Sequence, residues 1–217
     1  MKKYTLILLV LLLTGNARAQ QHEKNILGVR AGLNVSKLAV SVEDMGISTG
    51  WRTGFHFAVS DQVLLTRKLP LYLETGVDFS SRGGKIALAQ YGEVYQATPR
   101  PFYLQVPLLF NYHFNIRNRL TIQPFAGIYG GVGLRGRMEF DNLGKEELFG
   151  DRGMLYRLDF GVRAGVGFVV KRIYLGISYD IGCMNQFKNG SFFNYESRTR
   201  AIEIHNDCLS VMIGYNF

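Results

Sequence analysis

Apolar and polar residues alternate with a period of two along most of this sequence, and helical periodicity is nearly absent. Strict alternation is typical of β-strands that bury one face and leave the other in a different environment. The pattern recurs in eight segments, at residues 27–36, 51–60, 71–80, 102–114, 120–135, 158–170, 173–182 and 208–217. The chain is therefore predicted to be all-β.

The number and length of these segments fit a membrane barrel. A tilted strand needs about ten residues to cross a bilayer, and eight strands is a usual minimum for outer-membrane barrels. The connections between segments alternate between long (37–50, 81–101, 136–157, 183–207) and short (61–70, 115–119, 171–172). Such alternation is typical of a barrel with one outer and one periplasmic rim. We predict an eight-stranded antiparallel up-and-down transmembrane β-barrel, a monomer in the cell outer membrane.

Residue size predicts which face points inward. One alternating set is uniformly bulky and apolar, whereas the other carries charge and many of the 25 glycines. The lumen of eight strands has room for few side chains, so the glycine-bearing face is predicted to line it and the bulky face to contact lipid. Periodicity alone leaves one alternative, a soluble periplasmic ligand-binding barrel with its apolar face inside.

The first residues predict export. Residues 1–19 combine Lys2 and Lys3 with an apolar stretch and an Ala-Arg-Ala site, which is the pattern of a secretory signal peptide. Residues 20–217 would then be one barrel domain. Loss of the leader leaves 22 basic against 17 acidic residues and lowers the net charge from +8 to +5. This mild, scattered excess does not indicate nucleic-acid binding.

Seven runs in order along the chain identify a relative. They are GVRAGLNVS (28–36), GFHFAV (54–59), YLETGVDFSSRGG (72–84), YLQVPLLFNYHF (103–114), PFAGIYGGVG (124–133), DFGVRAGVGF (159–168) and LGISYDIG (175–182). Together they resemble the PorT-like outer-membrane β-barrel family of Bacteroidetes-type bacteria. The resemblance implies an eight-stranded outer-membrane barrel, whose founding relative is associated with a protein secretion system. The family has no defining catalytic motif, so no functional residues carry over.

The predicted inward face carries four positive and four negative residues, namely Arg30, Arg52, Glu74, Asp78, Arg135, Asp159, Arg163 and Asp180. Charges enclosed in a narrow lumen cost several kcal/mol each unless they are paired and hydrogen-bonded. Equal numbers of both signs predict a neutral network and a plugged interior, with a narrow conducting channel as the alternative.

The sequence offers no convincing catalytic set, and no cofactor or metal is expected. We therefore predict a non-enzymatic structural or binding protein, or an accessory of an envelope secretion assembly. Glu203, His205 and Asp207 recur at period two just before the last strand and leave an outer-membrane hydrolase open as an alternative. The GxGxxG match at 131–136 lacks the following helix that a dinucleotide site requires.

Two further pairs of residues, two cysteines and two C-terminal aromatics, suggest specific roles. Cys183 and Cys208 bracket the last long connection at matching heights, but they fall on opposite alternating sets, so a disulfide between them stays open. Tyr215 and Phe217 end an apolar strand in the manner of the assembly signal of outer-membrane proteins. The expected partners are outer-membrane lipid, the barrel assembly machinery and envelope secretion proteins, and not nucleic acid.

Overall fold

The computed structural model describes residues 24–42, 47–66, 69–90, 93–116, 119–140, 144–150, 153–186, 188 and 202–217. The predicted signal peptide at 1–19 lies outside them. Within these ranges no helix has the length and apolar character needed to span a membrane.

The described residues form twelve β-strands. They are β1 (Asn25–Val42), β2 (Ile47–Gly50), β3 (Arg52–Leu64), β4 (Leu71–Ser81), β5 (Lys85–Gln90), β6 (Glu93–Tyr112), β7 (Phe114–Ile116), β8 (Leu120–Phe140), β9 (Gly144–Glu147), β10 (Leu158–Val170), β11 (Ile173–Gly182) and β12 (Ile202–Asn216).

Eight of these strands close an antiparallel barrel. Each of β1, β3, β4, β6, β8, β10, β11 and β12 pairs with the next, and β12 returns to pair with β1. The prediction of an eight-stranded antiparallel barrel is confirmed. The short strands β2, β5 and β9 add to the wall at the rim with long connections, here called the long-loop rim. β7 pairs with β8 at the opposite, short-turn rim.

The bulky apolar face points outward, as predicted. Leu33 on β1 is 68% exposed and Ile213 on β12 is 58% exposed, whereas Asn34 and Ser210 beside them are buried. A closed barrel with an apolar outer wall needs lipid around it, because that surface would be unfavourable in water. The soluble ligand-binding barrel is therefore the wrong alternative.

At the long-loop rim the strands run beyond the predicted segments. The β1–β12 ladder extends from the pair Gly28↔Asn216 to the pair Val42↔Ile202, although the sequence pattern assigned residues 37–50 and 183–207 to connections. Backbone hydrogen bonds continue above the lipid-facing band, where the outward positions no longer need to be apolar. The apolar period therefore ends before the strand does.

Inward aromatic rings rest on inward glycines. The ring of Tyr174 lies where a Cβ atom on Gly167 or Gly176 would sit, and the ring of Tyr129 occupies the same place over Gly161. Glycine is required at these positions by close approach, and the rings fill the volume that the missing side chains leave. The glycine content predicted to mark the lumen thus makes room for large side chains inside it.

A valine at Gly167 is expected to lower the free energy of unfolding by about 1–3 kcal/mol, because its methyl groups would displace the buried Tyr174 ring. Urea titration of the folded protein in detergent micelles measures this loss. Gly130→Val is the matched control, since Gly130 faces outward with no atom within 4 Å of the added Cβ. Equal losses in the two variants would contradict the packing argument.

Candidate functional site

The barrel interior contains a buried carboxylate with a full set of donors. Both terminal nitrogens of Arg30 on β1 contact the Glu74 carboxylate on β4. Gln62 Nε2 and Asn111 Nδ2 donate to Glu74 Oε2 at 2.7 and 2.9 Å. The Arg30 guanidinium carbon lies 4.1 Å from the centroid of the Tyr174 ring. The pair is thus held by hydrogen bonds on one side and by an aromatic face on the other.

A second group of charges lies around Asp180 on β11. Arg163 on β10 donates from Nε to Asp180 Oδ1 at 2.8 Å and from Nη2 to Asp180 Oδ2 at 2.9 Å. Its Nη1 pairs with Asp78 on β4, and Asp180 also pairs with Arg82. Arg82 Nη2 donates to Gln105 Oε1 at 2.8 Å. All of these side chains are buried.

Three of the ion pairs, Arg30–Glu74, Arg163–Asp78 and Arg82–Asp180, join strands that are not neighbours. The Arg163–Asp180 pair instead joins the adjacent strands β10 and β11. In the closed order, β6 and β8 separate β4 from β10, so the Arg163–Asp78 pair crosses the interior. Arg82 follows β4, and β11 lies four strands away around the wall, so the Arg82–Asp180 pair spans the barrel. The interior is therefore bridged from wall to wall by charged side chains.

The Arg82 side chain enters the barrel because the chain turns inward after β4. Ser81, Arg82, Gly83 and Gly84 are all buried, and Gly83 adopts a φ of 134°, which favours glycine. The Arg82 backbone is anchored by its N–H to Pro101 O at 3.0 Å and by Arg52 Nη1 donating to its carbonyl at 2.7 Å. The period-two pattern missed Arg82, although the flanking Ser80-Ser81 and Gly83-Gly84 mark an inward turn.

The structure places the eight predicted lumen charges as follows. Six are buried, namely Arg30, Glu74, Asp78, Asp159, Arg163 and Asp180. Five of these take part in the ion pairs above, and Asp159 is buried on β10 beyond them. Arg52 is half-buried and donates to the backbone of Arg82 and to Ser81 Oγ at 3.5 Å.

Arg135 does not line the lumen, and its predicted place is wrong. On β6, Phe102 pairs with Arg135, but the next residue, Tyr103, pairs with Gly133. Leu134 is thus an extra residue in β8, which forms a β-bulge and reverses the alternation beyond it. Leu134 and Arg135 are consequently both exposed.

An apolar cluster covers the charged interior toward the long-loop rim. Its buried members are Leu38, Ala97, Tyr103, Met138, Leu148, Phe149, Leu155 and Ile204. The Phe149 ring lies against Gly133 and Gly136, and its centroid is 5.9 Å from that of Tyr103 in an edge-on arrangement. Of the loop aromatics, Phe149 therefore folds into the barrel mouth. We call residues 148–150 and 153–156 the inserted segment.

Gln186 ties the last long connection to this cluster. Its side chain is fully buried, and its Oε1 accepts a hydrogen bond from Tyr103 Oη at 3.1 Å. Its backbone N–H donates to Ile204 O at 3.0 Å, and its carbonyl accepts from Tyr156 N at 2.8 Å. Nothing in the sequence pattern marks Gln186, because its position depends on contacts between distant segments.

Asn34 on β1 links the first barrel strand to the last one, β12. Its Nδ2 donates to Ser80 Oγ on β4 at 2.8 Å and to Phe55 O on β3 at 3.2 Å. Its Oδ1 accepts from Ser210 Oγ on β12 at 2.9 Å. One buried amide therefore bonds to three other strands.

Cys183 and Cys208 are both free thiols, so the disulfide left open by the sequence is not formed. Cys208 is buried on β12, opposite Asp180. Cys183 follows the end of β11 and is exposed. The two side chains lie on opposite faces of the wall, as their parity in the sequence indicates.

The rim residues considered for catalysis lie on β12. His205 and Asp207 are half-buried on the outward face of β12, and the Glu203 side chain lies outside the described ones. No group of three or more His, Cys, Asp or Glu residues in the described ranges could hold a metal ion.

Tyr215 and Phe217 lie at the short-turn rim. Their ring centroids are 5.2 Å apart, and Phe217 N donates to Leu27 O at 2.8 Å. Their role as an assembly signal stays a prediction.

Comparisons with known proteins agree with this fold. The profile of the family described as "Outer membrane protein beta-barrel domain" matches residues 18–188. OprG from Pseudomonas aeruginosa has a similar structure, with a TM-score of 0.50, 10% identity, and coverage of 92% of this chain and 99% of that one. Neisserial surface protein A has a TM-score of 0.49 and 14% identity, with coverage of 88% of this chain and 97% of that one. Ail of Yersinia pestis has a TM-score of 0.39 and 11% identity, with coverage of 90% of this chain and 100% of that one. No curated protein sequence matches. The OprG likeness supports the fold alone.

Proposed function

This chain belongs to the outer membrane protein beta-barrel domain family and lies in the outer membrane, and from that premise we propose that it is a non-enzymatic barrel closed to ions. The observation that carries the proposal is the Arg163 guanidinium, which binds carboxylates from β4 and β11 inside the barrel. Water and ions moving along the axis would have to break these pairs, each of which is buried and held by charge-assisted hydrogen bonds. A closed lumen favours a structural or binding role over a pore.

The purified protein is therefore expected to give no stable conductance steps when it is reconstituted into a planar lipid bilayer. A general porin incorporated in the same way shows that the assay detects open barrels. The heat-dependent shift in gel mobility of the same sample confirms that the inserted protein is folded. Reproducible steps from the folded wild-type protein would contradict a closed lumen.

We further propose that the barrel acts as an accessory of an envelope secretion assembly, in line with its resemblance to the PorT-like family. The supporting residues are the seven sequence runs within 28–182. If the lumen is closed, contacts with other proteins fall to the outer wall and the two rims. We also propose that the chain is a monomer and that the barrel assembly machinery recognises it through Tyr215 and Phe217.

Affinity capture of a tagged chain from crosslinked native membranes tests this accessory role. Co-purification of secretion-machinery components, absent from a control with an unrelated tagged barrel, is the expected result. Recovery of the barrel without these components would contradict the accessory role. It would not affect the closed lumen, which the conductance measurement tests separately.

A further inference from the structure

The short connections of the barrel carry an excess of positive charge. The connections 61–70, 115–119 and 171–172, taken with residues 20–24 before β1, contain seven basic and two acidic residues. The basic residues, which we call the basic rim, are Lys24, Arg67, Lys68, Arg117, Arg119, Lys171 and Arg172; the acidic ones are Glu23 and Asp61. A terminal carboxylate at Phe217 lowers the excess from five to four. Because every acidic residue of these segments is counted, ion pairs within them are already subtracted.

The rest of the chain is neutral. Residues 20–217 hold 22 basic and 17 acidic residues, and removing the seven basic and two acidic residues of these segments leaves 15 of each sign. The net charge of +5, which looks scattered along the sequence, therefore belongs entirely to the short connections and the start of β1. A one-sided excess of this kind favours a negatively charged partner on that side of the barrel.

The structure describes four members of the basic rim, and all of them lie where barrel strands begin or end. Lys24 directly precedes β1, Arg119 directly precedes β8, and Lys171 and Arg172 form the turn between β10 and β11. Lys24, Arg119 and Lys171 are exposed. The other three members lie outside the described residues.

Exposed apolar residues border each of these turns. Val170 and Ile173 flank the turn at Lys171 and Arg172, and Ile116 lies three residues before Arg119. Leu65 and Leu69 are likewise exposed on either side of positions 67 and 68. Residues of this kind contact lipid, so charges directly beside them lie at the depth of the headgroups. The partner that fits this depth is a lipid headgroup rather than a soluble protein.

Lys171 is an unusual choice for its turn. It adopts a φ of 59°, the left-handed conformation that glycine and asparagine adopt more readily than other residues. Turn geometry therefore does not favour lysine at this position. Its positive charge beside the membrane surface supplies a reason for its presence.

A crevice at the short-turn rim joins polar and apolar groups. Its volume is about 310 Å³, and it is lined by Lys24, Asn25, Val63, Leu64, Leu65 and Thr66. Val63 and Leu65 also belong to the exposed apolar surface of the wall. A phosphate beside Lys24 would thus have its acyl chains against Val63 and Leu65, which matches the amphipathic shape of a phospholipid.

We propose that the basic rim binds anionic phospholipids of the periplasmic leaflet in preference to zwitterionic ones, and that the crevice beside Lys24 holds one of these headgroups. Short turns face the periplasm in outer-membrane barrels, and basic residues near a membrane surface attract anionic lipid. The proposal uses the membrane location of the chain and is independent of the closed lumen and of any secretion partner.

Native mass spectrometry of the purified barrel in detergent, titrated with single phospholipids, tests this proposal. The wild-type protein is expected to bind phosphatidylglycerol at least about tenfold more tightly than phosphatidylethanolamine with the same acyl chains. Arg119→Gln combined with Lys171→Asn should weaken phosphatidylglycerol binding by about fivefold or more for each charge lost. Asparagine is chosen at position 171 because it tolerates the left-handed conformation.

Arg135→Gln combined with Arg137→Gln is the matched control. It removes the same number of exposed positive charges at the long-loop rim, so it should bind phosphatidylglycerol as the wild type does. Gel mobility before and after heating confirms that each variant is folded. If the double variant of the basic rim does not fold, Lys24→Gln serves in the same titration, with an expected loss of about fivefold.

Three results would overturn the proposal. Equal binding of the two phospholipids by the wild-type protein would show that the rim does not select charge. Equal losses in the rim variant and its control would show that only the net charge of the protein matters. Displacement of phosphatidylglycerol by an equal concentration of glycerol 3-phosphate or of polyglutamate would make the rim a site for a free phosphate or for an acidic protein.

Discussion

Arg163→Met is expected to lower the free energy of unfolding by about 3–5 kcal/mol, the usual cost of removing one member of a buried ion pair. Asp78 would lose its Arg163 partner inside the barrel, and Asp180 would keep Arg82 as its ion-pair partner among the described residues. Methionine fills much of the arginine volume, so the loss reports charge pairing more than packing. Urea titration in detergent micelles, followed by gel mobility without heating, gives the midpoint and its slope.

Arg135→Met is the matched control for this change. Arg135 falls on the same alternating set of the sequence as the lumen residues, yet it is exposed on the outer wall. Its replacement should change the free energy of unfolding by no more than about 0.5 kcal/mol. Similar losses in the two variants would mean that the interior ion pairs do not stabilise the barrel.

Phe149→Ala is expected to release the inserted segment from the barrel mouth. Removing a buried phenylalanine costs about 3–5 kcal/mol, and here the loss falls on docking of the inserted segment against Gly133, Gly136 and Tyr103. When a segment opens and closes rapidly, proteolysis follows the population of its open form. Cleavage by trypsin after Arg157 should therefore become roughly 100-fold faster or more, since 1.4 kcal/mol is about tenfold.

Tyr156→Ala controls for the loss of an aromatic ring from the same segment. Tyr156 is 46% exposed, so its removal takes little apolar area out of contact. Cleavage in this variant should remain close to the wild-type rate. Fast cleavage of the wild-type protein, or equal acceleration in both variants, would contradict docking through Phe149.

The strands were predictable because the bilayer imposes a strict rule on them. Lipid requires bulky apolar residues on one face, and the narrow interior requires small or polar ones on the other, so the period of two is unbroken through the membrane. Both requirements weaken beyond the lipid. The extension of β1 to Val42 and of β8 to Phe140 therefore left no clear pattern in the sequence.

The interior charges were predictable only where the strands are regular. Arg30, Glu74, Asp78, Arg163 and Asp180 lie in unbroken alternation, and the structure pairs them with one another or with Arg82. The exceptions are Arg135 and Arg82, which lie at a bulge and at an inward turn. Hydrogen bonds to other segments accompany both departures, from Arg157 to the Leu134 carbonyl and from the Arg82 N–H to Pro101 O. A pattern read along one segment does not contain them.

The hydrogen bonds of Asn34 have a consequence for chains whose synthesis stops early. Its amide is satisfied by β3 and β4, which follow it closely, but its oxygen bonds to Ser210, 176 residues later. A chain that ends before β12 leaves this buried oxygen unsatisfied and β1 with an open edge, neither of which a bilayer tolerates. Completeness of synthesis is thus a condition for stable residence in the membrane. Copies that lack β12 are therefore expected not to insert stably into the bilayer.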